Sequence, residues 1–177
     1  MVNKLMKFFA YFLFFCFALM LFIPKDGLYF LLEKNLKEYG VVISGEQLYP
    51  TLSTLKVEHL AVSVKAIDAA AIESVEIRLF GVYNHISVEK IRLSSLVSSY
   101  IPPEIDSLDI SYTLLNPLLI DAKSSGKFGE AKIVIDIKER LLNVMLSPSK
   151  LMQKKYKNSL RYFKKSKDGG YVYTKNF

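Results

Sequence analysis

His59 and His85 are the only histidines in this sequence, and Cys16 is its only cysteine. Imidazole and thiolate bind metals, move protons and attack carbonyls near neutral pH, so these residues are the first to test for chemistry. Neither histidine has Cys or His partners at zinc spacing, and there is no Gly-rich phosphate loop and no nucleophile elbow. "SSGKFGE" (124–130) has the glycines of a phosphate loop without its G-K-[ST] ending, and is expected to be a hairpin turn. Glu58, Glu89 and Asp109 fall on the polar parity of strands, where solvated carboxylates belong. Leu13-Phe14-Phe15 ahead of Cys16 is too bulky for a lipoprotein signal, so Cys16 reads as a small apolar helix residue. No catalytic residue, metal ligand or cofactor site is assigned, and an enzyme is not expected.

Charge is the more informative chemistry. Residues 149–177 carry nine of the 24 Lys/Arg and one of the 17 Asp/Glu, a net of +8 from nine minus one, against +7 for the whole chain. Ser147-Pro148 is an N-cap and first-turn signature and Gly169-Gly170 a stop, so a helix is expected over 149–165. Met152, Tyr156, Leu160 and Phe163 form one stripe on it, ringed by Lys154, Lys155, Lys157, Arg161, Lys164 and Lys165. Such a helix suits a membrane surface with anionic head groups. Nucleic acid is not expected as a partner. "YVYTKNF" reads as a last short strand.

These groups must be positioned by the elements before them. Phe8 to Ile23 is uncharged and spans roughly 24 Å at about 1.5 Å per residue, against a hydrocarbon core of about 30 Å. Lys4 and Lys7 precede it, and bulky Leu21, Phe22, Ile23 and Pro24 stand where signal cleavage wants small residues. The expectation is an uncleaved membrane anchor over 1–25. It would make a single-pass bacterial inner-membrane protein, with a cytoplasmic N terminus and a periplasmic C-terminal domain. Residues 26–40 predict a short amphipathic helix, capped by Asp26 and Gly40, with Leu28, Leu32 and Leu36 on one face beside Leu31.

Residues 41–148 read as antiparallel strands with short turns at 81–84, 102–103, 116–117, 124–126 and 138–139. "SVEIRLF", "SLDISY" and "AKIVIDIK" alternate cleanly. "KAIDAAAIES" could instead form a helical turn. "LKVEHLAVSV" loses its alternation at Glu58-His59, and "ISVEKIRLSS" does so at Glu89-Lys90, 31 residues later. A β-bulge in each would restore the apolar face. The fold expected is mainly β: a curled antiparallel sheet, a gutter or taco-like meander with bulged strands, carrying the helices named above. Its inward face would hold Leu60, Val62, Val64, Val75, Ile77, Leu79, Ile91 and Leu93.

An N-terminal span, a short helix and strands such as "VEIRLFGVYNHISVEKIRL" and "SSGKFGEAKIVIDI" resemble the AsmA-like group of envelope proteins. The nearest likeness within it is the small N component of type II secretion systems (GspN-like). The resemblance covers residues 1–148. It implies a periplasmic taco-shaped sheet with an apolar interior, tied to lipid handling or to an envelope machine, and brings no catalytic residues. Two functions follow as expectations. One is a non-enzymatic module holding lipid or another hydrophobic ligand in an apolar groove beside the inner membrane. The other is a structural component of an envelope or secretion-like machine, acting through contacts with other envelope proteins or copies of itself.

Overall fold

The computed structural model describes residues 2–22, 24–166 and 169–177. Ile23, the end of the expected apolar run, lies outside them, as do Lys167 and Asp168. Helix α1 (Val2–Phe22) makes no extensive contact with any other element. Among the described residues no helix is long and apolar enough to cross a membrane. Lys4 and Lys7 sit inside α1, so its uncharged part runs only from Phe8 to Phe22, roughly 22 Å at about 1.5 Å per residue. It cannot lengthen past Pro24, because Lys25 is buried and its Nζ donates to the Leu52 carbonyl at 2.6 Å. The expected N-terminal transmembrane helix is therefore withdrawn, and with it the single-pass inner-membrane placement and the periplasmic side.

Helix α2 (Lys25–Glu38) forms as expected but starts and packs differently. Pro24 stands at its N-cap with no side-chain cap, so Asp26 does not cap it. Gly40, at φ 77°, follows its end. Tyr29 is its buried anchor, whereas Leu28, Leu31 and Leu32 stay exposed. Leu28 and Leu32 of the expected stripe line a cavity against the sheet beside Tyr29 without joining the buried core.

Eleven strands make one antiparallel sheet. They are β1 (Val41–Ser44), β2 (Gln47–Pro50), β3 (Thr54–Val64), β4 (Ile67–Leu79), β5 (Tyr83–Leu93), β6 (Glu104–Thr113), β7 (Leu119–Gly126), β8 (Gly129–Asp136), β9 (Leu141–Pro148), β10 (Lys164–Lys165) and β11 (Tyr171–Asn176). From β3 to β9 each strand pairs with the next in sequence, and β11 then adds to β9 with β10 outside it. Short connections between consecutive strands leave only antiparallel neighbours. The alanine-rich segment is strand β4, reached from β3 through Lys65 and Ala66, both at positive φ as a two-residue hairpin requires. The turn expected at 124–126 lies further on: Gly126 pairs with Gly129, leaving Lys127 and Phe128 at the tip. A Cβ on Gly129 would come within 2.1 Å of the Ser147 carbonyl oxygen, so only glycine allows β9 this close.

The loss of alternation is a property of the sheet and not of two strands. Glu58 pairs with Ser74 and Leu60 with Ile72, so β3 and β4 keep one register through His59, and their register shift comes only later, between Val62 and Ser63. The same holds for β4 with β5 around Glu73 and Lys90, and for β5 with β6 around Lys90 and Asp106. Segments β1 and β2 keep a common register along β3 as well, so Gly45-Glu46 lies opposite Leu60-His59. Five strand paths therefore change parity in one row. At Glu58-His59 and Glu89-Lys90 the expected bulges are replaced by this shared crease, because a slip made by every neighbour needs no insertion. His59 at φ 58° and Lys90 at φ 52° take the turn in the backbone. A register shift appears where the crease ends, between Ile105 and Ser107 of β6 against β7.

Two helical covers close the ends of one sheet face. At one end Tyr29 of α2 packs with Leu55, Val57 and Leu60. At the other, α4 (Lys150–Lys155) and α5 (Lys157–Leu160) bring Met152 and Leu160 onto Phe128 and Leu146. A one-turn helix, α3 (Ser95–Ser98), joins β5 to β6. The single helix expected over 149–165 is broken. Ser149 caps α4 by accepting the Met152 N–H, but the chain leaves helical geometry at Tyr156, and Lys164-Lys165 is a strand. Seating both Met152 and Leu160 on the sheet overrides the local preference for one continuous helix.

Candidate functional site

Hydrogen-bond register places a row of side chains across the covered face. It runs Leu55, Ile77, Ile86, Ile110, Ala122, Ile133 and Val144, one per strand from β3 to β9. A second row, Val57, Val75, Val88 and Leu108, lies beside it. Past the crease the face continues through Leu60, Ile72, Ile91 and Ile105. Burial is uneven. Leu55, Val57 and Leu60 are buried under α2, whereas Ile86, Leu108, Ile110, Ile133 and Val144 are only half-buried. Between α2 and the sheet a cavity of about 240 Å³ is bounded by Leu28, Leu32, Leu55, Ile77, Leu79 and Ile86.

Of the eight residues expected to line the groove, Leu60 and Ile91 are buried in the face. Val62, Val75, Ile77, Leu79 and Leu93 are half-buried on it. Val64, at the end of β3, is exposed. The sequence reading missed the half of the face carried by β6 to β9, although "LDI", "AKIVI" and "LLNVML" alternate in the same way.

The opposite face is polar. Lys56 pairs with Glu58 at 2.5 Å, Arg78 with Glu76 at 2.8 Å and Lys90 with Glu73 at 2.6 Å. The hydrogen bond from Lys90 holds the Glu73 carboxyl below its ordinary range, helped by the charges of Arg92 and His59. Arg78 does the same to Glu76. The crease row reads Glu46, His59, Glu73, Lys90 and Asp106, acid and base in turn. The cross-strand neighbours of this row are therefore of opposite type throughout, an arrangement that stabilises sheet pairing.

On the same face, His85 Nε2 lies 3.3 Å from Asp109 Oδ1, and the Ser87 hydroxyl donates to that carboxylate at 2.9 Å. Acid, imidazole and hydroxyl thus meet, but in the wrong order for acyl transfer. Both His85 and Ser87 turn to the carboxylate, so nothing takes a proton from the hydroxyl. Among the described residues no group of three or more His, Cys, Asp or Glu could hold a metal ion.

Lys154, Lys155, Lys157, Arg161, Lys164 and Lys165 are all exposed, and none of them makes an ion pair among the described residues. The stripe they were expected to surround is used up inside the molecule. Met152 and Leu160 are core residues, with Tyr156 and Phe163 packed against them. No protein-family model, no curated protein and no solved structure matches this chain.

Proposed function

We propose that the chain is a non-enzymatic binding module whose apolar sheet face holds the acyl chains of a lipid or another elongated hydrophobic ligand. The observation that carries this reading is the half-buried apolar field between the two helical covers. Fully burying a Val, Leu or Ile side chain contributes about 1.5–3 kcal/mol, and each methylene of a ligand about 0.8 kcal/mol. The row from Leu55 to Val144 crosses seven strands, roughly 29 Å at about 4.8 Å per strand. An extended acyl chain can lie along it without a polar group having to lose water. The AsmA-like resemblance of the strand pattern points to the same ligand class.

The test is extraction and mass spectrometry of lipid from full-length protein purified in mild detergent, alongside displacement of a fluorescent fatty acid. Ile110→Asp and Ile133→Asp, at half-buried positions, should leave the far-ultraviolet circular dichroism spectrum unchanged and remove both signals. Probe binding that persists in both variants, or wild-type protein carrying no more lipid than they do, would rule out the sheet face.

A second reading is an assembly component acting through protein contacts. Helix α1 favours it: Phe8, Phe9, Phe12, Phe14 and Phe15 are exposed, and an apolar surface of that extent calls for a cover outside the chain. Two edge segments do not favour it, since β2 ends in Pro50 and β10 is two lysines long, both devices that blunt edge pairing.

A further inference from the structure

We infer that the lid formed by α4, α5 and β10 is a docking surface for an anionic lipid bilayer, gripping phosphate head groups with Lys157 and Arg161. These two residues flank a recess of about 400 Å³ whose other lining groups are Gln153, Leu160 and Tyr171. Lys165 is opposite Tyr171 in the β10–β11 ladder, which brings the lysines of that strand to the same end of the molecule. Lys154 and Lys155 end α4 on this lid.

Three features make the surface a site for anions. The six cations are exposed without ion-pair partners among the described residues. Residues 149–177 contain a single acid, Asp168. The lid is also held in place: the Ser159 hydroxyl donates to the Tyr100 carbonyl at 2.5 Å, Ser149 donates to the Lys127 carbonyl at 2.7 Å, and Met152 and Leu160 are locked in the core. Because the apolar stripe already faces inward, charge and not insertion must drive the contact. Clustered lysines near an anionic membrane surface attract it additively, over a Debye length of about 8 Å at physiological salt. A bilayer fits better than a duplex, because the cations spread over a broad lid and no helix of eight residues or more is presented to enter a groove.

The apolar α1 could bind vesicles by itself, so the readout must come from the lid. The chain contains no Trp, and Tyr162 is 76% exposed, so Tyr162→Trp in the full chain gives one local reporter. Vesicles of brominated phosphatidylglycerol should quench its emission, and brominated phosphatidylcholine should not. Reversing Lys157 and Arg161 to Glu should weaken the quenching on the order of tenfold or more, as should raising salt to about 1 M. Reversing Lys154 and Lys155 provides a second variant pair with the same expectation. Equal quenching by neutral vesicles, no quenching by anionic ones, or insensitivity to both reversals would each overturn the proposal. A larger response to duplex DNA at matched phosphate concentration would overturn it in favour of nucleic acid. None of these outcomes depends on whether the sheet face binds acyl chains.

Discussion

Tyr29 shows how a single residue sets both the docking of α2 and a titration. Its ring is buried against Leu55, Val57 and Leu60, and its hydroxyl is buried with no hydrogen-bond partner. Burial, with the nearby charges of Glu46 and Glu33, pushes its pKa from 10.0 up to about 12. The folded state thus favours the neutral phenol, and the stability this contributes is fully present below pH 10.0 and is lost as pH rises through about 12. An unsatisfied buried hydroxyl costs about 1–3 kcal/mol, so Tyr29→Phe should stabilise the protein by about 1 kcal/mol in urea denaturation at neutral pH. It should also flatten the alkaline loss of stability between the two pKa values. A variant less stable than the parent would show that the hydroxyl has a partner.

At the scale of elements, the crease decides which side chains the sheet can offer. In β3, β4, β5 and β6 an apolar residue is followed by an acid, a second polar residue and another apolar one: Val57-Glu58-His59-Leu60, Ile72-Glu73-Ser74-Val75, Val88-Glu89-Lys90-Ile91 and Ile105-Asp106-Ser107-Leu108. Two polar neighbours turn outward together, and the apolar face resumes on the far side. A side chain with a Cβ held at positive φ costs about 1–2 kcal/mol relative to glycine. Replacing His59, at φ 58°, with Gly should therefore stabilise the protein by about 0.5–1 kcal/mol. His59→Val should destabilise it by more than that, since β-branching fits this region worst. Thermal denaturation of the pair checks the prediction, and equal melting temperatures would mean that the kink relaxes without strain.

For the whole molecule, the apolar face divides into structural and available parts. Leu60 and Ile91 are 5% and 7% exposed, so Leu60→Asp or Ile91→Asp would bury an unpaired carboxylate and should unfold the domain or cost more than about 3 kcal/mol. At Ile110 and Ile133 the same change can reach water and should chiefly remove ligand binding. Parallel measurement of stability and fatty-acid displacement for the four variants separates the two classes. If all four lose stability equally, the field between the covers is ordinary core.

The sequence by itself determined what depends on short range. It marked most of the strands, antiparallel pairing through short turns, the parity change at Glu58-His59 and Glu89-Lys90, and the concentration of basic charge after residue 148. Alternation and composition are local properties, legible along a chain. Only the tertiary structure decided that the parity change is one row through five strand paths, because register belongs to pairs of strands. "GEQL", "IESV" and "IDSL" carry the same signature, yet each looks unremarkable until its neighbour is known. Tertiary packing also set Tyr29, ahead of the leucines of α2, into the core, broke the basic helix at Tyr156 to seat Met152 and Leu160, and fixed Lys25 to the Leu52 carbonyl at 2.6 Å. In each case a contact distant in the chain outweighed a local preference worth at most about 1 kcal/mol per residue.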